Sequence, residues 1–161
     1  MKAILIGAIA LAGAGLAQAE EVNVEALMTP TDQIKMGFAD GSKHFVLMVR
    51  REGEAAGSGP FAGAKMVEHG WHDINPPVSG APHGYLEMTA ASGDVAYLKW
   101  SLQVEFGKGD GKMAIMNRGI WQLVSGTGQF AGQSGVGTLE IRQAPEGRRV
   151  FVLTGEILPR P

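Results

Sequence analysis

Between Asp94 and Phe106 the chain reads DVAYLKWSLQVEF, and its apolar positions recur at every second residue. Ala96, Leu98, Trp100, Leu102, Val104 and Phe106 fall on one face, while Tyr97, Lys99, Ser101, Gln103 and Glu105 fall on the other. A period of two is the repeat of a pleated strand with one buried face, so a long strand is predicted here. The same alternation groups Phe45, Leu47 and Val49 in 43–51 and Leu139 with Ile141 in 137–142. Residues 148–158 are rich in β-branched and aromatic types that favour strands. In 112–124, Met113, Ile115, Trp121 and Leu123 align, interrupted on that face by Asn117 and Gly119. Asn117 or Arg118 must therefore point towards the core, where a hydrogen-bonded Asn117 is expected. Weaker strand candidates lie at 33–38, 62–74 and 82–90.

Turn signals separate these segments: ADGS, ASGD, GKGDGK and APEGR. No sustained helical period appears after residue 19. Short sequential loops make neighbouring strands antiparallel, and about eight such strands predict an all-β fold, a single antiparallel up-and-down β-barrel. Closure removes exposed strand edges, and a β-sandwich is the alternative. The 24 glycines suit a chain of many corners and bends. NPPVSGAP, 75–82, is expected to be a surface loop, because its prolines cannot donate to a ladder.

The first residues, MKAILIGAIALAGAGLAQA, combine a charged start, a short apolar run and the small-x-small site Ala17-Gln18-Ala19. That is the layout of a secretory signal peptide over 1–19, followed by a single barrel domain over 20–161. The expected location is exported, periplasmic or secreted, with no membrane span in the mature chain. The absence of Cys excludes disulfides, thiolate catalysis, Cys-ligated zinc and lipid attachment through an N-terminal Cys. A net charge of −2 gives no electrostatic reason to expect a nucleic-acid partner.

Two stretches nearly repeat: GSGPFAG at 57–63 and GTGQFAG at 126–132. Neither has the Lys-Ser/Thr that a phosphate-cradling loop requires, and the second runs into a strand rather than a helix. They read as related turns in which glycines take positive φ and the Phe folds back as a plug over a barrel end. GTGQFAGQSGVGTL, 126–139, resembles the glycine-rich signature of allene oxide cyclase-like and dirigent-like barrels and of their uncharacterised secreted bacterial relatives. HGYLEMTAASGDVAYLKW, 83–100, fits the same pattern, and the resemblance covers about 43–158. It implies a barrel whose mostly apolar cavity binds a lipid-like or phenolic molecule, in some members as cyclases that steer rather than attack. It assigns no catalytic residue to this chain.

The densest polar cluster is EHGWHD, Glu68 to Asp73, with His83 and Glu87 beyond the Pro-rich loop. On a regular strand Glu68 and His72 share one face, while His69, Trp71 and Asp73 share the other. A metal would need several of His69, His72, His83 and Asp73 to converge; the odd spacing of His69 and His72 opposes this unless Gly70 marks a bulge, and no metal site is expected. Acid–base work could use Glu68, His69, His72, Asp73 or Glu87, with Tyr85 as a hydrogen-bonding partner. No nucleophile elbow is present, and no cofactor is expected. The eight Met and three Trp could line an adaptable pocket or simply fill the core.

The expected function is the binding of a small apolar or amphipathic molecule inside an exported barrel. A cyclase or isomerase of the allene oxide cyclase type is one alternative, and a structural or interaction protein without a small ligand is another. The expected ligand-binding set is Glu68, His69, Trp71, His72, Asp73, His83, Tyr85, Glu87 and Asn117. Strands joined by the 75–82 loop should bring Trp71, His72 and Asp73 close to His83 and Tyr85.

Overall fold

The computed structural model describes residues 18–110 and 112–160. Nine strands follow in order: β1 (Glu20–Gly37), β2 (Phe45–Ser58), β3 (Lys65–Asn75), β4 (Ser79–Gly80), β5 (His83–Thr89), β6 (Val95–Gly109), β7 (Lys112–Gly126), β8 (Gln133–Gln143) and β9 (Arg149–Pro159). Every pairing is antiparallel. β1 pairs with both β2 and β9, β2 with β3, and β5 with both β3 and β6, so the eight long strands close into a barrel. Closure excludes the sandwich alternative. The expected leader, 1–19, lies almost wholly outside the described residues.

The inward faces are those the alternation assigned. Ala96, Leu98, Trp100 and Leu102 of β6 are buried and join Leu86, Met88, Trp121, Leu139, Phe151 and Leu153 in the core, and Val104 is buried beyond them. Burial of these side chains is the main stabilising term, about 1.5–3 kcal/mol for each large apolar one.

Two strand expectations are corrected. The 33–38 candidate is a strand as far as Gly37, but only as the end of the longer β1, whose residues 31–37 are exposed; the barrel half of β1 buries Val22, Val24, Ala26 and Met28. β9 pairs with β1 only as far as Met28, so the rest of β1 is held by β2 alone. The 75–82 segment is not wholly a loop. Gly80 pairs with Ile74 of β3 and with Val104 of β6, so two residues are tucked into the wall between those strands.

The repeated heptapeptides fold alike at one end of the barrel. Gly59 and Gly128 occupy matching places, both in the left-handed region at φ 89° and 50°, and the carbonyl of each accepts the amide of the Ala three residues on. These backbone conformations are open to glycine and strained for other residues. Phe61 and Phe130 are thereby turned inward and fully buried, with ring centroids 5.6 Å apart. Phe61 also meets Trp121 edge-on at 6.0 Å. This end is plugged, and the opposite end carries the β1–β2, β3–β5, β6–β7 and β8–β9 connections.

Candidate functional site

The inward positions of β3 read Met66, Glu68, Gly70, His72 and Ile74, and those of β2 include Leu47 and Arg51. Arg51 and Glu68 are direct cross-strand partners, with Arg51 4% and Glu68 0% exposed. Arg51 Nη1 donates to Glu68 Oε2 at 2.6 Å. His72 Nε2 donates to Glu68 Oε1 at 3.0 Å. Arg51 Nη1 also lies 3.4 Å from His72 Nε2. A ring nitrogen that gives its hydrogen to the carboxylate cannot also accept from a guanidinium, so this last approach is a contact and not a bond. The His72 ring leans against Trp100, centroids 5.7 Å apart. Arg51 Nε and Trp100 Nε1 are buried without a hydrogen-bond partner among the described residues.

Above this cluster, towards the open end, lies a cavity of about 170 Å³. Its apolar wall includes Leu47, Leu102, Val104 and Ile115, and its polar wall is Arg51, His72, Asn117, Gln143 and Arg149. Asn117 faces inward while Arg118 is exposed. Asn117 Nδ2 donates to Ile141 O at 3.1 Å. That bond spans β7 and β8 beyond Arg118–Glu140, where their ladder ends. Arg149, the first residue of β9, is partly buried. Burial and then the nearby Arg51 hold its guanidinium below its ordinary pKa, and Glu68 partly offsets them.

The expected site is thus divided by the wall of the barrel. Glu68, His72 and Asn117 are inside. His69, Trp71, His83 and Tyr85 are outside, where they line a shallow groove together with Ile34 and Met48. The register brings Trp71 opposite His83 and His69 opposite Tyr85, as the joining loop required. Glu87 lies opposite Val67 and Tyr97 on the outer side of β5. Asp73 accepts a hydrogen bond from His44 Nε2 at 2.6 Å, which ties the β1–β2 connection to β3. β3 pairs with β2 without a register shift, so Gly70 is not a bulge and His69, His72, His83 and Asp73 do not converge. Among the described residues no Met lines the cavity, and Trp100 and Trp121 fill the core beneath it.

Sequence reasoning missed Arg51 and Arg149. Arg51 follows Phe45, Leu47 and Val49 on their own face, and that position in the alternation is the signal that could have found it.

No protein-family model matches the chain, and no curated protein sequence matches it. Solved structures do. A β-barrel-like protein from Acinetobacter baumannii AYE superposes with a TM-score of 0.59 at 10% identity, covering 90% of this chain and 99% of that one. A pterocarpan synthase dirigent protein gives 0.51 at 8% identity, covering 99% and 100%. A protein of unknown function from Rhodopseudomonas palustris gives 0.52 at 14% identity, covering 88% and 98%. The fold is therefore that of the small β-barrels that include a dirigent protein, as the glycine-rich turns implied.

Proposed function

We propose that this chain is an exported small β-barrel that binds a small amphipathic molecule in the open half of its barrel. The carrying observation is the cavity of about 170 Å³, where an apolar wall faces Arg51, His72 and Asn117. A concave, mostly apolar space with a few convergent polar groups is the usual make-up of a small-molecule site. One end of the barrel is plugged by Phe61 and Phe130, so the ligand enters past the opposite rim. Export rests on the leader pattern of residues 1–19, and N-terminal sequencing of protein from its source cell tests it by recovery of a chain starting at Glu20.

Binding is tested with the neutral fluorescent probe N-phenyl-1-naphthylamine on the 20–161 chain. Saturable fluorescence enhancement is expected, with loss of binding in Ile115→Trp, which fills the mouth, at unchanged circular dichroism. Equal probe affinity in that variant would reject the cavity as the site.

One observation favours a second reading, a cyclase or isomerase that uses acid–base groups. His72 reaches the cavity wall while Glu68 fixes its ring, the arrangement a positioned proton donor or acceptor needs. The structural neighbour described as a pterocarpan synthase shares the barrel and lends this reading an analogy of fold.

A further inference from the structure

The charges around the cavity do not cancel. Arg51 faces inward from β2 and Arg149 from β9, and both line the cavity. β1 runs between them, with Pro30 opposite Arg51 and Met28 opposite Arg149, so the two stand at nearly the same level of the barrel. Two strand spacings, roughly 10 Å, separate their backbones, a gap that two guanidinium side chains can bridge around one small anion. Against these two cations stands one carboxylate beneath the cavity floor, Glu68, already engaged by Arg51 and His72. Among the described residues, no Asp or Glu lines the cavity itself. Arg149 Nη1 donates to the backbone carbonyls of Gly147 and Arg148, which carry no formal charge. Arg51 Nε, in a side chain almost wholly buried, has no partner among the described residues.

Arg149, partly buried and with no carboxylate beside it in the cavity, carries part of the cost of an uncompensated charge. A ligand that brings a single negative charge and acceptor oxygens to the cavity side of Arg51 and Arg149 offsets that surplus of positive charge. We infer that the molecule bound here is a monoanion, whose carboxylate lies between Arg51 and Arg149 and whose apolar body runs past Leu102, Val104 and Ile115 towards the mouth. This rests on the binding reading above and adds the chemical class of the ligand. A planar carboxylate matches the guanidinium fork, and charge-assisted bonds of this kind are the strong ones.

The test compares two acids with their neutral counterparts on the 20–161 chain at neutral pH: octanoate against octan-1-ol, and benzoate against benzyl alcohol, by calorimetry or by displacement of N-phenyl-1-naphthylamine. Each acid should bind at least about tenfold more tightly than its alcohol, the ratio expected of one hydrogen-bonded ion contact. Arg149→Gln should remove most of that advantage, so that octanoate and octan-1-ol then bind with similar affinity. Alcohols binding as tightly as acids would overturn the anion inference while the binding reading stands. Probe uptake without any displacement by the acids would do the same. Failure of N-phenyl-1-naphthylamine and all four compounds to bind would overturn the binding reading with it. Should Arg149→Gln fail to fold, the acid–alcohol ratio in the unaltered chain decides alone.

Discussion

Glu68 Oε1 and His72 Nε2 meet at 3.0 Å although they stand four positions apart on an extended strand. Four residues of strand span about 13 Å of backbone, so a contact along one face requires the position between to stand aside. Gly70 is that position. A Cβ on Gly70 would sit 2.5 Å from Glu68 Oε1 and 2.7 Å from His72 Nε2. The pair occupies the space a side chain would take, and EHGWH is therefore a compact way to place two ionisable groups together within one strand.

Gly70→Ala is predicted to break this contact. The new methyl drives Glu68 and His72 apart and leaves a fully buried carboxylate with one partner fewer, a loss of about 1–3 kcal/mol. Urea denaturation should show a lower midpoint at an unchanged slope. A midpoint equal to that of the unaltered chain would mean that the two side chains relax without cost.

The Arg51–Glu68 pair should behave as a buried ion pair, expensive to halve and cheaper to remove whole. Glu68→Gln leaves Arg51 buried beside Arg149 with no anion and is predicted to cost about 3–5 kcal/mol. The double variant Arg51→Met/Glu68→Leu should recover much of that loss, since neither residue then strands a charge. A double-mutant cycle built on Arg51→Met, Glu68→Leu and their combination checks it. Additive losses would show that the two side chains do not stabilise each other.

Much of this fold is legible in the amino-acid sequence: the long β6 strand, the antiparallel closure and the two Phe plugs all stand in period-two runs and repeated glycines. The first half of β1 is not. Its buried positions, Val22, Val24, Ala26 and Met28, alternate with Glu21, Asn23, Glu25 and Leu27, but Asn and Ala are weak strand formers, and pairing to β2 on one side and to β9, from the far end of the chain, on the other is what holds them. In the site, strand parity separates Glu68 and His72 from His69, Trp71 and Asp73 correctly. Which face is the interior depends on barrel closure, which no local pattern reports. Arg51 escapes notice because an arginine at the end of an apolar face ordinarily marks where burial stops. Here Glu68, 17 residues along, lets it stay buried.

Phe61 and Phe130 are predicted to be coupled. Each is fully buried, and truncation of either to Ala should cost about 3–5 kcal/mol through lost burial and the cavity left behind. Their rings touch, so the double variant should lose less than the sum by about 0.5–1.5 kcal/mol. Thermal and urea melts of the three variants measure the difference. Strict additivity would mean that the two turns plug the barrel end independently.

The last prediction separates the two sides of β3. His69 and His83 stand on the outer wall, exposed, and His72 stands inside against Glu68 and Trp100. The double substitution His69→Ala/His83→Ala removes no buried contact, so stability should stay within about 0.5 kcal/mol of the original. Uptake of N-phenyl-1-naphthylamine should also be unchanged, because neither ring reaches the cavity. His72→Ala should differ on both counts. It takes a donor from buried Glu68, at about 1–3 kcal/mol, and it changes the cavity wall. Probe affinity should therefore shift in His72→Ala alone. Loss of probe binding in the outer double variant, with His72→Ala indistinguishable from the original, would move the site from the barrel interior to the groove beside Trp71 and Tyr85.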